Sequence, residues 1–256
     1  MGHTICIVSQ KGGVGKTITA VNLAAALAIF GKRTLLIDCD PQGSATASVG
    51  INDKKSGQAF QRALQEINFT AEIITHSCLE LLKVIPAPSE ILQNDATPIS
   101  MPGNEKFLHT LLARFRADFD YIIIDTAAAP ASFMAINAII TSDSVLIPLQ
   151  CELLAFQALR NTLRTLIYIK NKHRLKLKLE GVLLTMYDKG EDVSERIVQS
   201  ARKHIRHRLF KTVIPRSVQL RESASFGRPL VVQNAGSSGA QSYIQLAKEI
   251  LAKKKG

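Results

Sequence analysis

Thr4-Ile5-Cys6-Ile7-Val8-Ser9-Gln10-Lys11-Gly12-Gly13-Val14-Gly15-Lys16-Thr17 is the stretch on which the reading of this chain turns. Its first five residues form a short run rich in β-branched side chains, the pattern of a strand buried on both faces. Glycines interrupt it, and from Thr17 to Phe30 an Ala/Leu-rich stretch reads as helix, with Gly31 where a C-terminal cap belongs. Strand, glycine-rich loop and helix in that order form the context of a phosphate-binding loop. Gly12, Gly13 and Gly15, with Val14 between them, leave room for successive backbone N–H groups to converge on phosphate oxygens. The first turn of the helix adds its positive end. Lys16 can bring a full charge to the β- and γ-phosphates, and the Thr17 hydroxyl can ligate Mg2+. ATP and Mg2+ are the expected cofactors.

Outward from this segment the same alternation continues. Strand-like runs are Thr34–Ile37 ending at Asp38, Tyr121–Ile124 ending at Asp125, Val145–Ile147 closed by Pro148, Leu179–Leu184, and Val213–Ile214 before Pro215. Helical stretches fall at Glu105–Arg116, Ala131–Ile140, Leu153–Lys172, Asp192–His207 and Gly239–Lys253. Apolar strands alternating with helices predict an α/β fold, a mostly parallel twisted sheet with helices on both faces. No repeat or linker divides residues 1–256, so a single P-loop domain is expected, with residues 94–104 as its main loop excursion.

Composition narrows the partners. The formal net charge is +11, yet residues 1–150 carry 11 Lys/Arg against 13 Asp/Glu, and residues 151–256 carry 21 against 8. The excess positive charge thus belongs to the second half, where it favours a polyanion such as nucleic acid or an anionic membrane surface. No apolar run is long enough to span a membrane, and the N-terminus lacks the basic region of a secretory signal. Cys6, Cys39, Cys78 and Cys151 are scattered with no CxxC pair, consistent with reduced thiols in a cytoplasmic protein.

Carboxylates complete the site. Mg2+ takes oxygen ligands and keeps several waters, so acidic residues at strand ends near the phosphates suit it. Asp125 follows one apolar strand; Asp38-Cys39-Asp40-Pro41-Gln42-Gly43 follows another. Asp40 is placed to orient an attacking water, Asp125 to hold Mg2+ through water, and Asp38 to shape the loop and contact the metal's shell.

Where a strict phosphate-loop pattern would open on glycine, this chain has Gln10, followed by a second lysine, Lys11. That arrangement resembles the deviant Walker A motif of the ParA/MinD class of P-loop ATPases. Segments Asp38–Gly43, Asp143–Glu152, Leu184–Asp188, Val213–Arg216 and Glu222–Pro229 further resemble ParA/Soj-type partition ATPases, over nearly the whole chain and least over residues 52–104. The resemblance implies that Lys11 reaches the nucleotide of a second subunit, as an arginine finger supplied in trans would. It implies an ATP-bound homodimer that binds DNA without sequence preference on the nucleoid, and a ParB-type partner that stimulates hydrolysis. It places the adenine pocket at Pro215 and Ser217 and DNA contact at Arg216. Gln219 stands where relatives carry a basic residue, so Arg221 is expected to take over that phosphate contact, with the basic run Arg202–Arg208, Arg202 and Lys203 above all, as a further candidate.

Two departures stand out. Ile18 replaces a threonine whose hydroxyl would contact the α-phosphate, which weakens ATP binding without abolishing it. Thr126-Ala127-Ala128-Ala129-Pro130 lacks the usual double proline at the edge of the nucleotide and dimer interface. Slow hydrolysis, or a weakly hydrolysing adaptor of the same fold, follows from them. A MinD-type membrane-associated ATPase is the other alternative, disfavoured because the final residues Leu251–Gly256 carry no bulky apolar amphipathic tail.

Overall fold

A computed structural model describes residues 2–51, 57–60, 71–88, 106–129 and 132–253. The expected loop over 94–104, the helix start at Glu105, residues Pro130 and Ala131, and the terminal Lys254–Gly256 lie outside these residues. Eight strands occur among the described residues: β1 (His3–Ile7), β2 (Thr34–Cys39), β3 (Thr75–His76), β4 (Leu82–Ile85), β5 (Tyr121–Thr126), β6 (Ser144–Gln150), β7 (Lys178–Tyr187) and β8 (Leu209–Pro215). They form one sheet in the order β3-β4-β2-β5-β1-β6-β7-β8. Every pairing is parallel except β3 with β4, as expected for a mostly parallel sheet.

The helices are α1 (Lys16–Ile29), α2 (Ser44–Ser48), α3 (Phe107–Ala113), α4 (Phe133–Thr141), α5 (Ala155–Lys172), α6 (Asp192–His204), α7 (Val218–Ser223), α8 (Leu230–Gln233) and α9 (Ser238–Lys253). Alternate residues of each central strand feed opposite cores. Cys6, Leu35, Ile37, Ile122, Ile124, Val145 and Ile147 pack under α3, α4, α5 and α6. Ile5, Ile7, Leu36, Tyr121, Ile123 and Leu146 pack under α1, α7, α8 and α9. The continuous apolar runs therefore reflect two covered faces. Gly31, at φ 74°, donates its N–H to Ala28 O while Lys32 N–H donates to Leu27 O, closing α1 as expected of a left-handed glycine cap.

Several boundaries differ from expectation. Pro148 does not close its strand: β6 continues to Gln150. Leu146 O accepts from Val8 N–H, so position 148 faces the same side, beyond the point where β1 turns away into the loop. The missing N–H of Pro148 thus leaves no ladder bond unmade, while β7 continues the pairing opposite it. Leu154 adopts φ 69°, which delays α5 to Ala155. The basic helix stops at His204, and Arg206–Arg208 form a 3-10 turn that feeds Leu209 into β8. Strands β3 and β4 and helix α2 were not anticipated; β4 is only four residues with Lys83 inside it, and it is buried by pairing with β2. Of the cysteines, Cys6, Cys39 and Cys151 are buried and reduced, whereas Cys78 is exposed.

Candidate functional site

β1 sits at the centre of the sheet between β5 and β6, and the Gly-rich loop leaves its C-terminal end. Two glycines are required by backbone shape: Gly13 and Gly15 hold φ 73° and 87°, the left-handed region that costs a residue with Cβ. Gly12 does not need positive φ, and a Cβ there would only touch Ala128. That approach places the unusual 126–129 segment directly beside the loop. Gly15 is the N-cap of α1, so the helix's unpaired N–H groups and Lys16 begin where a phosphate would lie.

Neighbouring elements anchor the loop on both sides. Gln10 donates its backbone N–H to Thr162 Oγ1 (3.2 Å) and its side-chain amide to Thr165 Oγ1 (2.6 Å), both on α5. The residue that breaks the strict glycine pattern is therefore a fastening. Thr185 of β7 donates to Val14 O (2.9 Å), and Thr126 donates to Ile7 O (2.8 Å). Lys16 is buried, with Nζ 3.4 Å from Lys11 O. Burial lowers its pKa, opposed by the charges of Asp125 and Asp40.

Asp38 and Asp125 are register partners at the ends of adjacent strands β2 and β5, and both are fully buried. Asp38 is well served: it accepts from Thr46 N–H (2.8 Å), Thr46 Oγ1 (2.7 Å) and Asp40 N–H (3.1 Å). Burial pushes its pKa up to about 6 against the pull of those bonds. Asp125 differs, since neither carboxylate oxygen has a hydrogen-bond partner. Burial and the charge of Asp38 hold its pKa well above the usual carboxylate range, against smaller opposing pulls from Thr17 and Lys16. An unserved buried carboxylate next to a threonine hydroxyl and an ammonium fits a hard cation with oxygen ligands. Asp40 is half-buried at the rim and accepts from Gln42 N–H (3.0 Å).

On the other side of α1's first turn is a cavity of about 230 Å³, lined by Gly15, Ile18, Met186, Pro215, Ser217 and Tyr243 among others. It brings the expected Ile18, Pro215 and Ser217 together. Ser217 also caps α7 by accepting from Leu220 N–H (3.3 Å). Met186, at φ 53°, and Tyr243, whose hydroxyl meets Thr19 Oγ1 at 3.1 Å, were not foreseen. The Leu184–Asp188 segment carried a signal for the first, whereas Tyr243 comes from a helix more than 200 residues from the loop and had none.

The four candidate DNA-binding residues do not form one patch. Arg216 follows β8 at the nucleotide end, its Nε 3.8 Å from Asp188 Oδ2, and Arg221 lines the same cavity. Arg202 lies by the opposite end of β8, in a groove with Arg206 and Lys211, and Lys203 is its exposed neighbour on α6. A seven-residue strand separates the two places by about 20 Å.

The family model described as an AAA domain matches residues 2–179. The sporulation initiation inhibitor protein Soj of Bacillus subtilis (strain 168) is 40% identical, covering 98% of this chain and 99% of that protein. The chromosome partitioning protein ParA of Myxococcus xanthus is 37% identical, covering 98% and 88%. This chain belongs to the ParA/Soj family. The fold of this ParA/Soj-family chain also matches a solved Mycobacterium smegmatis protein, cobyrinic acid a,c-diamide synthase with bound ADP and magnesium. Identity there is 27%, the TM-score is 0.82, and coverage is 100% of this chain and 96% of that one.

Proposed function

We propose that the chain is a DNA-partition ATPase: one P-loop domain that dimerises on binding ATP, holds DNA non-specifically as a dimer, and hydrolyses ATP when a ParB-type partner stimulates it. The observation that carries the reading is the convergence of Lys11, Lys16, Asp38, Asp40 and Asp125 on one end of β1, β2 and β5, with an unserved carboxylate at its centre. Gly12 to Thr17 would cradle the phosphates, and Ile18, Pro215 and Ser217 would face the base. Thr17, Asp38 and Asp125 would hold Mg2+, which when bound neutralises phosphate charge. Asp40, at the open rim, would orient the attacking water, and Lys11 would serve the partner's nucleotide. Hydrolysis without the partner would be slow, and the protein would be cytoplasmic and nucleoid-associated.

The MinD-type reading is less favoured. No described helix is long and apolar enough to cross a membrane. The apolar face of α9, Ala240, Tyr243, Leu246, Ala247 and Ile250, is buried against α1 and β8 and is not free to lie on a bilayer. Mobility of duplex DNA with ATP, ADP or no nucleotide tests the proposal. Retardation is expected with ATP alone and lost in Lys16→Ala, while Lys11→Ala binds ATP yet does not dimerise. Binding indifferent to nucleotide would overturn it, and ATP-dependent liposome co-sedimentation would favour the MinD-type reading.

A further inference from the structure

Lys11 is not free in the single subunit. Its Nζ forms an ion pair with Oε1 of Glu152, and both side chains are only partly exposed, at 39% and 30%. We propose that Glu152 is a positioning residue that holds Lys11 within its own subunit, so that this pair must open before Lys11 can serve a second copy of the chain. The inference rests on the trans role of Lys11 given above.

The backbones beneath both partners are fastened, so the pair is set by the fold. Glu152 follows β6 in a tight turn, its N–H donating to Gln150 O at 2.9 Å. Cys151 N–H donates to Thr185 O (3.0 Å), and Ser194 Oγ donates to Cys151 O (3.1 Å). The same Thr185 donates its hydroxyl to Val14 O, so one residue ties the turn and the phosphate loop together. Gln10 pins the other flank of Lys11 to α5, the helix that starts just after Glu152. The next two residues, Leu153 and Leu154, are each 72% exposed, and Leu154 is held at φ 69°, an unfavourable region for a branched side chain. An exposed apolar turn beside the pair is the kind of surface a second copy would cover. A half-exposed ion pair contributes little, so it biases Lys11 without locking it.

Two measurements on the full chain test this. In the first, dimerisation is followed by light scattering as a non-hydrolysable ATP analogue is titrated. Glu152→Gln is expected to reach half-maximal dimer at about two- to fivefold less analogue than wild type, the range such a pair commands. The gain should vanish in the Lys11→Ala background, because it acts through Lys11. In the second, nucleotide-free protein is acylated at its amines and Lys11 is compared with exposed Lys189. Glu152→Gln should label Lys11 about two- to fivefold faster and leave Lys189 unchanged, which a merely loosened turn would not do selectively. Unchanged labelling and dimerisation, a higher analogue requirement, or a gain that persists without Lys11 would each overturn the proposal. A wild-type chain that stays monomeric at saturating analogue would instead sink the trans reading on which it depends.

Discussion

Two charged regions of this molecule obey opposite rules. At the C-terminal ends of β1, β2 and β5, a few charges are buried and placed against one another by strand register. Around α6 and the start of β8, Arg202, Lys203, Arg206, Arg208 and Lys211 are exposed, and among the described residues no ion pair engages them. Buried charges interact strongly because water cannot screen them, so each has a specific task and a shifted pKa. Exposed cations act collectively through a field, and any one is nearly replaceable. Single substitutions should therefore be severe in the first region and incremental in the second.

The largest effect should come from Lys16→Ala. Loss of a charged donor to phosphate is expected to weaken ATP binding by about 10- to 100-fold, read with a fluorescent ATP analogue. Affinity within a factor of two of wild type would erase the distinction between the regions.

Next is the carboxylate pair. Asp125→Asn should stabilise the metal-free protein near neutral pH by about 1–3 kcal/mol, because an unserved buried charge is removed. The same variant should lose the rise in melting temperature produced by Mg2+ with ATP. The pH dependence has a defined sign. Folding raises the pKa of Asp38 to about 6, so the folded state binds its proton more tightly than the unfolded chain. Its contribution to metal-free stability is present at low pH and is lost as pH rises from about 4 through about 6. Metal binding requires the ionised form, so the stabilisation by Mg2+ with ATP should fade as pH falls through about 6. Thermal melts at several pH values, with and without Mg2+, check both slopes.

The basic region should respond by degrees. Removing Arg202 and Lys203 together by alanine substitution should weaken DNA binding several-fold and reduce the log–log salt slope by about 2, with ATP affinity unchanged. A slope that does not move would take these residues out of the DNA interface. The smallest effect is expected from Ile18→Thr, which restores a hydroxyl beside the loop. ATP affinity should rise by about two- to tenfold in the same fluorescence titration. No gain would show that the backbone cradle already serves the α-phosphate.

Much of the fold was legible because its signals are local. The run Thr4–Val8, the glycines after it and the Ala-rich helix are contiguous, and the apolar strands report two covered faces. Pro148 misled because a proline closes a strand only where its neighbour needs the missing N–H, and that depends on where β1 ends. β4 was missed because a four-residue strand containing a lysine has too little pattern of its own.

The chain's own order of residues determined the phosphate loop, the helix behind it, the parallel sheet and the pair of lysines, since each rests on neighbours in sequence. Only the tertiary structure decided that Asp125 lacks a partner where Asp38 has three, that Tyr243 joins Ile18 and Pro215 around one cavity, and that Lys11 is held by Glu152. It also divided Arg216 and Arg221 from Arg202 and Lys203. The physical reason is the same throughout: solvation and contact depend on what the fold brings from far along the chain, which no local pattern records.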